Sequence, residues 1–221
     1  MSMSLIKISG TLTIVAHVHI RKLAFSDPHD IHLKPHYTKY KKPNTTHKTP
    51  MNIFHPLVSE WFANQYGTPT DIQSKAWPVI ARGEHVLITA PTGSGKTLTA
   101  FLWALNRLIT NRALSGATRV LYVSPLKALN NDVQRNLRQP LQEIRALCRE
   151  KGHDVPRIEV LTRSGDTPAA DRRRMLRRPP EILIATPESL NLLVSADSSR
   201  NILTGLSTVI LDEIHAVAGS K

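Results

Sequence analysis

Cysteine is almost absent from this sequence. Cys148 is the only one among 221 residues. An intramolecular disulfide is therefore impossible, and no cysteine-based zinc site can be assembled. A single thiol fits a reducing, cytosolic compartment. Long apolar runs are missing too: none approaches the roughly 20 residues needed to span a bilayer. Leu12, Ile14, Val15, Ala16, Val18 and Ile20 are apolar, but His17 and His19 interrupt them. Arg21 and Lys22 then stand where a small-residue cleavage site would be needed, which argues against a secretory leader. Acidic residues are scarce, 17 against 29 lysines and arginines, for a formal charge of +12. That excess suits a polyanionic partner such as nucleic acid, and it equally describes a soluble surface with a basic tail.

What is present divides at about residue 50. Residues 1–50 hold eight lysines or arginines, two acids (Asp27 and Asp30) and six of the ten histidines. Residues 35–50 are rich in Lys, Pro, Thr and His without periodicity, so the stretch 1–50 is expected to be a flexible, disordered basic extension. Its histidines have no regular spacing that would gather them on a metal. Met51 is an alternative natural start, with the preceding residues a translated upstream stretch.

From Phe54 onward, short apolar runs alternate with amphipathic segments. The runs are Val86–Ala90, Arg119–Val123, Ile158–Leu161, Ile182–Ala185 and Thr208–Leu211. Each is apolar on successive residues, the pattern of strands buried on both faces of a parallel sheet. Between them, Leu98, Phe101, Leu102, Leu105, Leu108 and Ile109 recur at helical spacing. Residues 126–149 form another helical segment that Pro140 kinks or interrupts. Ala169–Arg177 and Glu188–Val194 follow. Strands alternating with helices predict right-handed crossovers and a doubly wound α/β domain.

One loop in that frame carries chemistry. Ala90-Pro91-Thr92-Gly93-Ser94-Gly95-Lys96-Thr97 lies between an apolar strand and a helix. Such a loop points backbone N–H groups at phosphates, and the helix N-terminus adds a favourable dipole. Gly93 and Gly95 permit unusual backbone angles. Thr92, Gly93, Ser94, Gly95, Lys96 and Thr97 are thus expected to bind nucleotide, Lys96 reaching the β- and γ-phosphates and Thr97 ligating magnesium. The pattern G-x-x-x-x-G-K-[ST] opens on glycine, whereas here that place is Ala90. The strand Val209-Ile210-Leu211 ends in Asp212-Glu213, which places two carboxylates at the carboxyl edge of the sheet beside that loop. Asp212 is expected to hold magnesium, directly or through water. Glu213 would orient and deprotonate an attacking water.

Together these residues resemble superfamily two helicases, in which alanine commonly stands at the first loop position. Asp212-Glu213-Ile214-His215 looks like their motif II in its DExH form, which adds His215 to the catalytic set of Lys96, Asp212 and Glu213. Gly67-Thr68-Pro69-Thr70-Asp71-Ile72-Gln73 resembles the adenine-reading Q motif, with Gln73 on the adenine edge. Phe54 would stack on the base or pack near it; Trp61 and Phe62 are expected in the core. Ser124-Pro125-Leu126-Lys127-Ala128-Leu129 looks like motif Ia. With Asn130-Asn131-Asp132-Val133-Gln134 and His215-Ala216-Val217-Ala218-Gly219-Ser220-Lys221, the resemblance narrows to the Lhr family, the large helicase-related proteins. It implies that residues 51–221 form most of a first RecA-like ATP-binding domain, incomplete at its C-terminus. It further implies an ATP-dependent DNA translocase of 3′-to-5′ polarity with a role in DNA repair.

A translocase grips its strand through phosphates, because it moves over any sequence. Turns at strand ends suit that task. Pro125 and Lys127, Arg163 and Gly165, and Thr186 and Pro187 occupy three such turns. Thr186 reads equally as a helix cap. The cluster Arg172, Arg173, Arg174, Arg177 and Arg178 is spread around a helix and is expected to be mainly a solvated face. A second RecA-like domain, its arginine finger and its later coupling motifs are not found in these residues, so the chain alone is expected to be inactive in unwinding. A DExH RNA helicase fragment, or a truncated product that binds ATP or nucleic acid without turnover, are the alternatives.

Overall fold

The computed structural model describes residues 3–7, 11–17, 50–91, 93–111, 117–125 and 133–213. Seven strands form one sheet: β1 (Met3–Lys7), β2 (Thr11–His17), β3 (His85–Ala90), β4 (Val120–Val123), β5 (Val160–Arg163), β6 (Ile182–Ala185) and β7 (Thr208–Leu211). Their order is β1-β3-β2-β7-β4-β6-β5. The last four pair in parallel throughout, which is the α/β sheet of a RecA-like domain that the sequence predicts.

The helices are α1 (Pro56–Tyr66), α2 (Asp71–Ala81), α3 (Lys96–Thr110), α4 (Gln139–Glu150), α5 (Ala169–Arg177), α6 (Pro187–Ser195) and the short α7 (Asp197–Arg200). They cover both faces of the sheet. Along β4, Val120 and Tyr122 face a core built from α1 to α4, while Leu121 and Val123 face a second cluster with Met175, Leu193 and Ile202. β6 divides the same way, Ile182 and Ile184 to one side, Leu183 and Ala185 to the other. Burial on both faces is why these strands carry unbroken apolar runs.

Two features differ from expectation. Within residues 1–50, expected to lack structure, Met3–Lys7 and Thr11–His17 are strands. β2 lies antiparallel between β3 and β7, pairing Thr11–Val15 with one and Ile14–His17 with the other. An extended segment has unpaired N–H and C=O groups that a sheet satisfies whatever its net charge. The second difference is local. The strand expected at Ile158–Leu161 runs instead over Val160–Arg163, because Glu159 N–H donates to the Glu181 carboxylate (2.8 Å) before the ladder begins at Val160 and Ile182.

Pro140 falls where its helical segment changes winding; residues 126–132 of that expected segment lie outside the described residues. A π-helical turn over Gln134–Arg138 precedes it, and the proline sits in the first turn of α4, where a missing N–H is best tolerated. Among the described residues, no helix is long and apolar enough to cross a membrane.

Candidate nucleotide and nucleic-acid site

The carboxyl edge of the parallel strands gathers the site, and backbone hydrogen bonds fix its order. Asp212 N–H donates to Val123 C=O (2.9 Å), Ser124 N–H to Ala185 C=O (3.2 Å), and Thr186 N–H to Arg163 C=O (3.3 Å). Asp212, Ser124, Thr186 and Arg163 therefore stand side by side at the ends of β7, β4, β6 and β5. At a strand spacing of about 4.8 Å, the row is roughly 14 Å long.

The phosphate loop leaves β3 at Ala90 and enters α3. Gly93 and Gly95 have φ of +83° and +87°, the left-handed region that glycine tolerates best. Gly95 caps α3 without a side-chain hydrogen bond, so the positive end of the helix dipole opens onto the loop. The Ser94 hydroxyl oxygen is buried with no hydrogen-bond partner, a donor available to a ligand. Lys96 is buried, its Nζ donating to the carbonyls of Ala90 (2.7 Å) and Pro91 (2.9 Å). The ammonium thus folds back under the loop, held by two carbonyl dipoles.

The two halves of the pocket meet across 115 residues. Thr97 Oγ1 donates to Asp212 Oδ2 at 3.1 Å. The same oxygen accepts from the Tyr122 hydroxyl at 3.0 Å, and Oδ1 accepts from Glu213 N–H at 3.0 Å. A hydroxyl and a carboxylate are hard oxygen donors suited to magnesium, so these residues fit the ion. Glu213 has φ +52°, outside glycine the one positive φ among the described residues. Left-handed backbone costs a residue with a Cβ about 1–2 kcal/mol.

Gln73 is buried at the start of α2. Its Oε1 accepts from Thr70 N–H (2.9 Å) and Thr70 Oγ1 accepts from Gln73 N–H (3.4 Å), a capping box. Thr70 Oγ1 also lies 3.3 Å from the Ser94 carbonyl. Gln73 is therefore packed against the phosphate loop and is no surface glutamine. Phe54, expected near the base, is in the core instead, its ring edge-on to Trp77 (4.8 Å) and Trp103 (5.4 Å). Trp61 and Phe62 are buried as expected.

On the nucleic-acid side, Arg163 is 8 % exposed, and its Nη1 is buried without a hydrogen-bond partner. Burial, then the nearby Arg172, pushes its pKa below the usual guanidinium range. Two neighbouring guanidinium charges favour an anion there. Thr186 caps α6, its Oγ1 accepting from Ser189 N–H (3.3 Å), with Pro187 in the first turn. Gly165 lies in a turn pinned by Arg172, whose Nη2 donates to its carbonyl (2.6 Å) and Nε to that of Thr167 (2.7 Å). Arg174 pairs with Glu159 (3.2 Å), while Arg173, Arg177 and Arg178 are exposed. Pro125 follows Ser124 on the same edge. Thr92, Lys127 and His215 lie outside the described residues.

Sequence reasoning missed Tyr122 and Thr70. The T-x-x-Q spacing of a capping box was a usable signal for Thr70 and for α2. A hydroxyl inside an otherwise apolar strand run was the available signal for Tyr122.

Known proteins resemble this chain in sequence and in fold. The DEAD/DEAH box helicase family model matches residues 70–221. The Lhr helicase/probable uracil glycosylase of Mycolicibacterium smegmatis is 51% identical over 173 residues, 78% of this chain and 11% of the relative. The Lhr helicase/uracil glycosylase of Escherichia coli K12 is 49% identical over 177 residues, 77% of this chain and again 11% of the relative. A solved structure of Mycobacterium smegmatis helicase Lhr bound to ssDNA and AMP-PNP superposes with a TM-score of 0.68 at 47% identity. That likeness covers 77% of this chain and 22% of the other. The chain thus spans about a tenth of the two curated relatives.

Proposed function

The chain belongs to the DEAD/DEAH box helicase family, and within it to the Lhr helicases; on that premise we propose that it is an ATP-binding domain coupling ATP hydrolysis to movement on single-stranded DNA. The observation that carries this reading is the Thr97–Asp212 hydrogen bond, which joins the phosphate loop and the carboxylate strand into one pocket. In it, the backbone from Gly93 to Thr97 and the Lys96 ammonium hold the phosphates. Lys96 gives up two carbonyls for phosphate oxygens, an exchange that a charge-assisted bond favours. Thr97 and Asp212 would hold magnesium, which neutralises phosphate charge. Glu213, which follows Asp212 beyond the end of β7, orients the attacking water and takes its proton. Gln73 joins the adenine side of the pocket to the loop.

The DNA strand runs along the row from Ser124 to Arg163. Arg163, with its unpartnered buried Nη1, Lys127, and the residues Pro125, Gly165, Thr186 and Pro187 meet phosphates. DNA is favoured over RNA because the similar solved helicase holds ssDNA, and 3′-to-5′ polarity follows the family resemblance. The 221 residues alone are expected to bind nucleotide with little or no unwinding.

The test is nucleotide affinity. Lys96→Ala, which removes the ammonium but leaves the glycines intact, should abolish or greatly weaken binding of a fluorescent ATP analogue to the chain. Unchanged affinity would remove the phosphate-loop assignment and the function built on it.

A further inference from the structure

Tyr122 has a hydroxyl where the strand pattern asks only for hydrocarbon. It sits in β4, whose four residues are all buried, and is itself fully buried. In the sheet it lies opposite Ile210 of β7 on one side and Ile184 of β6 on the other. A phenylalanine would satisfy every apolar contact of that position. The hydroxyl instead reaches Asp212 Oδ2 at 3.0 Å.

Two further contacts show what this bond does. The Tyr122 ring packs on Phe101, with centroids 4.7 Å apart. Phe101 is four residues after Thr97 on α3, so both lie on one helix face. The tyrosine therefore braces the helix that presents Thr97 and, through its hydroxyl, the carboxylate that Thr97 touches. Asp212 itself is 3 % exposed, so little water is at hand to replace a lost donor. Its Oδ2 takes the Tyr122 and Thr97 hydroxyls and its Oδ1 the Glu213 N–H. Thr97 is a ligand in the proposed nucleotide-bound pocket, whereas Tyr122 reaches that pocket through Asp212.

We propose that Tyr122 is a positioning residue for the magnesium–nucleotide site, its buried hydroxyl fixing the orientation of the Asp212 carboxylate. The proposal rests on the nucleotide-pocket reading above. Tyr122 touches neither nucleotide nor metal; it acts through Asp212. A merely structural tyrosine would change stability and leave the metal's effect on nucleotide affinity alone.

The experiment measures the affinity of the 221-residue chain for N-methylanthraniloyl-ATP in saturating magnesium and in excess EDTA. The ratio of the two is the magnesium enhancement. Tyr122→Phe should lower that ratio on the order of tenfold, the worth of one hydrogen bond to a charged group, with the affinity in EDTA unchanged. Phe101→Leu, which loosens the ring packing and keeps the hydroxyl, should lower the melting temperature and preserve the ratio. Asp212→Asn should remove the enhancement altogether.

The outcomes separate the two ideas. If the wild-type chain shows no enhancement, or Asp212→Asn retains it, the pocket reading fails and takes this proposal with it. If both controls behave while Tyr122→Phe keeps the wild-type ratio, Tyr122 alone loses its role. An equal loss of affinity with and without magnesium also overturns it, as does a lowered ratio in Phe101→Leu. Should Tyr122→Phe fail to fold, 3-fluorotyrosine at position 122 keeps the shape and makes a stronger donor. It should raise the ratio, and no change would overturn the proposal.

Discussion

Replacing Gly95 by alanine tests how tightly α2 supports the phosphate loop. Gly95 has φ +87°, and a Cβ built there falls 2.9 Å from Gln73 Nε2. Two costs follow. Left-handed backbone costs a residue with a Cβ roughly 1–2 kcal/mol. The close contact would be cheap if the amide could swing aside. It is held, because Gln73 is 3 % exposed and its Oε1 accepts from Thr70 N–H in the capping box. Moving it forfeits that half of the cap, on the order of 1 kcal/mol. Together Gly95→Ala should destabilise the chain by roughly 2–3 kcal/mol. Urea unfolding followed by circular dichroism gives the number. A double-mutant cycle isolates the contact: in a Gln73→Ala background the clash is gone, and Gly95→Ala should cost only the backbone share. The coupling between the two sites is then about 1 kcal/mol. A Gly95→Ala midpoint equal to wild type, or two costs that simply add, would refute the packing argument.

Thr186→Ala removes the side-chain cap of α6 and should lower stability by about 1 kcal/mol, read as a shift in urea midpoint with unchanged slope. Thr186→Ser should restore most of it, and a neutral alanine would mean that the Ser189 N–H bond contributes nothing. Cys148 is 1 % exposed and burial raises its pKa. A raised pKa means less thiolate at any given pH, so Ellman's reagent near neutral pH should find no reactive thiol in the native chain. In denaturant it should find one per chain; rapid native labelling would contradict the packing of α4.

What the sequence made legible was whatever burial on two faces or a compact loop imposes locally. β6 and β7 fall on Ile182–Ala185 and Thr208–Leu211 because each must be apolar on both faces. The phosphate loop was readable because its glycines serve backbone angles that few other residues adopt. Three things escaped. α2 was not assigned, and Pro78 lies in its interior; Trp77 Nε1 bonding to Thr99 C=O and the burial of Val79 and Ile80 offset the lost backbone bond. Phe54 was expected on or near the base, but two tryptophans from α2 and α3 enclose it. β2 could not be assigned a place at all. Nothing local says that residues 11–17 pair antiparallel between the phosphate-loop strand and the carboxylate strand, since a strand's partners are set by which edges the rest of the sheet leaves open. The same limit explains Tyr122: its hydroxyl acquires meaning only once β4 and β7 are neighbours, 90 residues apart along the chain. The phosphate loop and the doubly buried strands were visible in the sequence, and roles that depend on strand adjacency, as for β2 and Tyr122, were visible only in the fold.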